Sequence, residues 1–136
     1  MKPTAEQISQ IMSSHVKWLK SHGDGERAEL LGADLCQENL ADHNYRFANL
    51  QKCLFVGSDC TYADFEHCNL YGADFSGADL TGANLSGANI CGAKFVGATL
   101  DGASIESAVA WAADFRGASQ TGLNRTGAEL EGAIFS

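Results

Sequence analysis

From Ala28 to the last residue the chain repeats every five residues without a phase slip. Residues 73–90 read ADFSGADLTGANLSGANI. The large residue at the centre of each repeat falls at 30, 35, 40 and so on to 135, giving twenty-two repeats. Eighteen centres are Leu, Phe, Ile or Tyr, and the exceptions are Cys60, Ala110, Gln120 and Arg125. Two residues before the centre, sixteen positions are Ala; one before it, thirteen are Asp or Asn; two after it, Gly dominates from residue 72 onward. A period of five excludes both common elements. Five residues of α-helix turn by about 500°, so the apolar centres would spiral around the axis. On a strand, successive centres would alternate faces. A fixed phase over more than a hundred residues needs a chain that turns a corner in each repeat and stacks on itself. The large centres and the Ala residues then point at a narrow axis. Gly supports the tight turns, and Asp or Asn can bond the backbone there.

The triplets Ala33-Asp34-Leu35, Ala48-Asn49-Leu50, Ala73-Asp74-Phe75, Ala78-Asp79-Leu80, Ala83-Asn84-Leu85 and Ala88-Asn89-Ile90 carry a further signal. They resemble the pentapeptide repeat family, whose consensus is A(D/N)LXX, and the resemblance covers residues 28–136. It implies an all-β solenoid, a right-handed quadrilateral β-helix with four repeats per coil. On that count the chain makes about 5.5 coils, roughly 26 Å tall at a strand spacing of about 4.8 Å. Residues twenty apart should then stack. One such column is Leu35, Phe55, Phe75, Phe95, Phe115 and Phe135, and five Phe in one column support the twenty-residue coil. Gln120 and Arg125 are the last rungs of their columns, where a polar end reaches solvent. Ala110 lies between Ile90 and Leu130, which predicts a local bulge or repacking by Val109.

Two segments follow: residues 1–27, an amphipathic capping helix and turn, and residues 28–136, the repeat body. Ile8, Ile11, Met12, Val16 and Leu19 form one stripe of a helix over 4–22. Thr4 and Gln7 make a capping box, Gly23 stands at the C-cap, and HGDGE (22–26) reads as a turn. The stripe should cover the first coil, whose β edge otherwise invites aggregation. Tyr62 and Phe47, in outward slots of the early coils, are expected to support this cap. At the other end no helix follows, and Ala133-Ile134-Phe135 leaves an apolar end that dimerises, frays, or marks a truncated chain.

The net charge of −8 sits in the body: residues 1–27 sum to +1 and residues 28–136 to −9. An acidic body argues against direct binding of nucleic acid or an anionic membrane and permits a basic partner. No run approaches the roughly 20 apolar residues of a membrane span, and no signal-peptide core opens the chain. The five cysteines, Cys36, Cys53, Cys60, Cys68 and Cys91, are odd in number and form no CxxC. They read as reduced thiols in the cytoplasm, with neither a disulfide framework nor a zinc site.

Candidate chemistry is sparse. Asp34, Asp59, Asp64, Asp74, Asp79 and Asp114 share one repeat slot, which makes them turn residues. His15 lies on the helix stripe, His22 near its end, and His43 takes a slot usually held by Ala. His67 and Cys68 should point opposite ways, and Cys53, Cys60 and Cys68 inward as small core residues. No P-loop, nucleophile elbow or dinucleotide fingerprint is present. No catalytic residue, cofactor site or metal site is expected, and no enzyme.

The outward slots are the informative ones. Tyr71, Cys91 and Trp111 should form one exposed apolar stripe, a candidate partner site, unless Trp111 folds over the gap beside Ala110. Ile134 and Phe135 are the candidate dimer end. The expected function is a rigid scaffold or protein–protein interaction module. The family resemblance supplies an alternative, a DNA mimic that binds DNA gyrase or another topoisomerase. That role needs rows of outward carboxylates, whereas Glu66, Asp101, Glu106 and Glu131 read as sparse and interrupted by Arg46, Lys52 and Arg116.

Overall fold

The structure is a computed structural model that describes residues 1–20 and 24–136. Among the described residues one helix, α1, spans Ala5–Lys20. Thr4 and Gln7 form the capping box: the Gln7 N–H donates to Thr4 Oγ1 at 3.1 Å and the Thr4 N–H to Gln7 Oε1 at 2.8 Å. The Gly23 cap, His22 and the start of the 22–26 turn lie outside the described residues.

From residue 29 the chain is a ladder of parallel bridges between residues twenty apart, from Glu29↔Asn49 to Asp114↔Ile134. Ladder, corner and side chain together account for the N–H groups of a typical repeat. In the repeat centred on Leu70, the Leu70 and Gly72 N–H groups donate to the next coil, at Asn69's successor Asn89 O (2.8 Å) and at Cys91 O (3.0 Å). The Asn69 N–H donates to the preceding coil, at Ala48 O (3.0 Å). The N–H of Ala73, which opens the next repeat, closes the corner on Leu70 O (3.0 Å), as that of Cys68 does on Phe65 O. The fifth group, Tyr71 N–H, donates to Asn69 Oδ1 at 3.2 Å. That bond is why Asp or Asn precedes the centre: a buried or half-buried donor left alone costs stability. All six Asp residues of this slot accept it, from Cys36, Thr61, Glu66, Ser76, Thr81 and Arg116.

The core is the set of centres and their Ala neighbours, almost all fully buried from Leu30 to Phe115. The Phe column stacks as a continuous pile: centroids are 4.4 Å apart for Phe55–Phe75, 5.2 Å for Phe75–Phe95, 4.9 Å for Phe95–Phe115 and 4.8 Å for Phe115–Phe135, with planes within 4°. Planar rings repeat at the coil spacing, so each ring meets the next face to face. At Ala110 the expected bulge is absent. Val109 bridges both Asn89 and Glu129, and the Ala110 N–H donates to Glu129 O at 2.8 Å. Backbone bonding holds the register there, and Val109 points outward, half-buried. At the C-terminal end Leu123, Leu130 and Phe135 are only partly buried, Gln120 is half-buried and Arg125 is exposed. The Arg125 guanidinium lies 5.0 Å from the centre of the Phe135 ring.

At the first coil α1 packs through Ile8, Met12 and His15, while Ile11, Val16 and Leu19 are only partly buried. The buried line is therefore rotated toward His15 from the apolar stripe. The reason is a pair of hydrogen bonds. The Ala28 N–H donates to His15 Nδ1 at 2.9 Å, which assigns the ring proton to Nε2, and Nε2–H donates to the Arg46 carbonyl at 2.9 Å. Trp18 stacks on the same ring at 5.7 Å. The segment before α1 contributes too: Pro3 is buried, and the Met1 carbonyl accepts the Asp34 N–H at 2.7 Å, standing in for a preceding coil. His43 sits half-buried beneath α1, its Nδ1 2.9 Å from the Ala41 carbonyl. Phe47 lines a cavity of about 460 Å³ with Trp18 and Leu19. Tyr62 does not support the helix; its ring lies over Gly82 in the next coil.

Two outcomes follow. Burial pushes the His15 imidazole below its ordinary value of 6.5, and nearby Arg27 adds to this, against the Arg46 carbonyl bond, which acts the other way. A base depressed in the folded state contributes its full stability above the unfolded value and loses it as pH falls below about 6.5. Denaturant melts should show stability declining from pH 7 toward pH 5, and His15→Gln should flatten that slope. Separately, the Tyr45 hydroxyl is buried with no hydrogen-bond partner among the described residues, although its ring stacks on Phe65 at 5.2 Å. Tyr45→Phe should therefore raise unfolding free energy by about 1 kcal/mol; a loss would show that the hydroxyl is satisfied.

Candidate interaction surface

Each pentapeptide supplies one side of the coil, so the outward residues sort into four faces. On the Tyr71 face the slot after the centre holds Leu31, Gln51, Tyr71, Cys91, Trp111 and Glu131. Tyr71 and Trp111 are 47% and 48% exposed, and Leu31 is exposed at the first coil. Cys91 is half-buried between the two rings, its Sγ 3.7 Å from the Val109 carbonyl. The three predicted site residues thus occupy one slot of successive coils, about 4.8 Å apart.

The repeat that carries Trp111 departs from the consensus at two positions. Val109 replaces Asp or Asn and offers no side-chain acceptor to the Trp111 N–H. Ala112 replaces Gly at a corner with φ of 59°, where a Cβ is strained.

The other faces differ in kind. The Asp79 face presents Asp42, Asp59, Asp79 and Asp101 among Thr and Ser hydroxyls and the exposed Tyr62 ring, and carries no Lys or Arg. Of the carboxylates expected to be sparse and interrupted, Glu66 and Glu106 share a face with Arg46 and Glu131 shares one with Lys52; only Asp101 lies on this face, from which Arg46, Lys52 and Arg116 are absent. Two of its carboxylates also accept Thr hydroxyls, Thr61 on Asp59 at 2.8 Å and Thr81 on Asp79 at 2.6 Å. On the Glu66 face Phe47 stacks on His67 at 5.0 Å, and Arg46 approaches Glu66 at 3.5 Å. On the fourth face, Arg116 forks onto Asp114 with contacts of 2.7–3.1 Å and holds its carboxyl below the usual range.

Sequence periodicity did not reveal the corner residues. Gln37, Asp42, Phe47, Lys52, Tyr62, His67, Ser107 and Ala112 all take positive φ, near 60°. The signal available was the missing Gly in the early repeats. Several of these side chains lie over the Gly twenty residues on: a Cβ at Gly82 would strike the Tyr62 ring, and one at Gly87 the His67 ring.

Chemistry beyond contact finds little support. All five cysteines are free. Cys53, Cys60 and Cys68 are buried, and burial pushes their thiols up to about 11, 12 and 12. Cys53 and Cys68 donate to the carbonyls of Leu30 and Tyr45 at 2.6 Å, which makes them packed, unreactive groups. His67 is exposed while Cys68 is buried, so the two point apart. Among the described residues no cluster of three or more His, Cys, Asp or Glu is arranged to hold a metal ion. No described helix is long and apolar enough to cross a membrane.

Comparison with known proteins agrees with this architecture. A search of curated proteins found no match. Among solved structures, the chain is similar to HetL of Nostoc sp. strain PCC 7120, a pentapeptide repeat protein involved in heterocyst differentiation regulation. The identity is 30% and the TM-score 0.67, over 81% of this chain and 60% of HetL, so this chain spans less than two thirds of that protein. A pentapeptide repeat protein of the Arabidopsis thaliana thylakoid lumen is 30% identical with a TM-score of 0.57, over 77% of this chain and 66% of that one. Rfr23 of Cyanothece 51142 shares the fold at 23% identity and a TM-score of 0.79, over 92% of this chain and 99% of its own. The model for pentapeptide repeats, eight copies long, matches residues 48–87 and 83–119, more than half of the chain. The chain belongs to the pentapeptide repeat family.

Proposed function

We propose that this protein is a non-enzymatic module for protein–protein contact. In this reading it is a right-handed, four-sided β-helix, capped at its first coil by α1, whose Tyr71–Cys91–Trp111 stripe receives a protein partner. The observation that carries it is the pair of half-exposed rings at Tyr71 and Trp111, the second on a repeat without the Asx bond or the corner Gly. Exposed aromatic residues on a rigid frame bind at low entropic cost. The contact is assigned to this face rather than to the Ile134–Phe135 end, because Arg125 already covers the Phe135 ring. The free thiols fit a reducing compartment, and we place the chain in the cytoplasm.

The Asp79 face supports a second reading, a DNA mimic directed at gyrase. Charge density decides between them. That face offers about one carboxylate per 4.8 Å of rod, and the whole body one net charge per roughly 3 Å. Duplex DNA carries one per about 1.7 Å. The rod falls short of a duplex, and the contact reading is preferred.

Two measurements test this. Trp111→Ala should change unfolding free energy by less than about 0.5 kcal/mol, as a surface substitution does, and abolish capture of a partner identified by mass spectrometry on the wild-type chain. A loss of several kcal/mol would instead assign Trp111 to packing beside Ala110. The protein should also leave gyrase supercoiling uninhibited at micromolar concentration; potent inhibition would favour the mimic.

A further inference from the structure

Read down the rod, the outward slot of the Tyr71 face runs Gln51, Tyr71, Cys91, Trp111 and Glu131, and the corner beside Gln51 carries Lys52. Lys52 stands at a corner with φ of 59°, and its Cγ leans over Gly72, beside Tyr71. Lys52, Tyr71, Trp111 and Glu131 are all exposed. The order is self-complementary about Cys91. One coil above Cys91 is an aromatic ring, and one coil below is another. Two coils above is a cation, and two coils below is an anion.

We propose that the occupant of this stripe is a second copy of the chain, laid antiparallel about a two-fold axis through Cys91. The proposal rests on the reading of the Tyr71 face as a contact surface and names its partner. Turning one rod end over end places Trp111 of each copy on Tyr71 of the other and Glu131 of each opposite Gln51 of the other, within reach of the Lys52 side chain at the adjoining corner. Cys91 meets its own counterpart on the axis. Both halves repeat the same contacts, as an isologous interface requires. A parallel pair would instead set Lys52 against Lys52 and Glu131 against Glu131, which like-charge repulsion disfavours. The patch spans about 19 Å, four coil spacings, and is one pentapeptide wide. That is less than the roughly 1,200 Å² of total area found in stable complexes, so the pair is a concentration-dependent dimer. Packed sheet faces stand about 10 Å apart, and a disulfide needs Cα atoms within about 7 Å. The two Cys91 thiols therefore approach without bonding directly.

The test uses the full chain with Cys36→Ser, which removes the other partly exposed thiol. Sedimentation equilibrium up to about 1 mM, the weak-complex range, should show a monomer–dimer equilibrium. A bis-maleimide with an ethylene spacer should trap the dimer through Cys91, and Cys91→Ser should abolish the cross-link. Lys52→Glu and Glu131→Lys should each weaken association about tenfold, and the double variant should restore it, because each reversal acts on both symmetric pairs. A chain that stays monomeric at about 1 mM, or a double variant no tighter than the singles, overturns the antiparallel dimer. So does a dimer that forms without cross-linking through Cys91. If such a chain still loses its partner on Trp111→Ala, the contact reading stands and only the identity of the partner fails.

Discussion

The fold depends on the parallel ladder between coils, and in thirteen repeats one local interaction completes it, the hydrogen bond from the residue after the centre to the Asp or Asn before it. Four of the five N–H groups in a repeat find carbonyls through the ladder or the corner. The fifth faces outward, and the side chain two residues back accepts it, as Asn69 does for Tyr71. With this bond made, a pentapeptide is self-sufficient at its corner and needs only neighbours above and below. This is why the solenoid tolerates wide variation in its outward residues while its inner columns stay large and apolar. The coil spacing then imposes a second condition, that inner side chains repeat well at about 4.8 Å. Flat Phe rings meet it, and the pile from Phe55 to Phe135 is the result.

The two ends solve the edge problem by different means. At the first coil a helix brings apolar side chains, but the contact is oriented by polar ones. His15 ties the N–H of Ala28 to the carbonyl of Arg46, joining the beginning of the solenoid to the end of its first turn. At the last coil a single guanidinium lies over the terminal ring of the Phe pile. Between them the faces differ: one carries Tyr71 and Trp111, one carries carboxylates and no cation, and two carry mixed charge. A square cross-section allows this, since each face draws on its own set of repeats, and a change on one face leaves the other three untouched.

Much of this was legible in the residues. The period of five gave the corner-turning coil, and the columns of twenty placed the Phe pile, the buried thiols and the Tyr71 stripe in their observed slots. Periodicity failed where the backbone acted without regard to side-chain size. Ala110 suggested a bulge because a small residue interrupts a large column, yet the bonds of Val109 and Ala110 hold the ladder in register. His15 was counted with the stripe, but its role as a two-ended bridge depends on where the helix is set down, which no local pattern encodes. The acidic face was missed for a similar reason. Along the chain, Arg46, Lys52, Lys94, Arg116 and Arg125 break up the carboxylates; only folding at four repeats per coil leaves one side without a cation.

The corner residues give the rod a direction. A large side chain at a corner of one coil leans over the corner of the coil after it, as Tyr62 does over Gly82 and His67 over Gly87. The occupied corner therefore dictates its successor: a bare backbone, or a ring flat enough to stack, as His67 accepts Phe47. Chain variation at these corners is not free site by site but inherited down a column, with each bulky choice casting a shadow one coil long. Decorated corners are accordingly concentrated in the early coils, Gln37 to His67, and bare glycines dominate those that follow. The sides of this rod are independent of one another, but along any one corner the sequence has an order of precedence that runs from the helix toward the C-terminus.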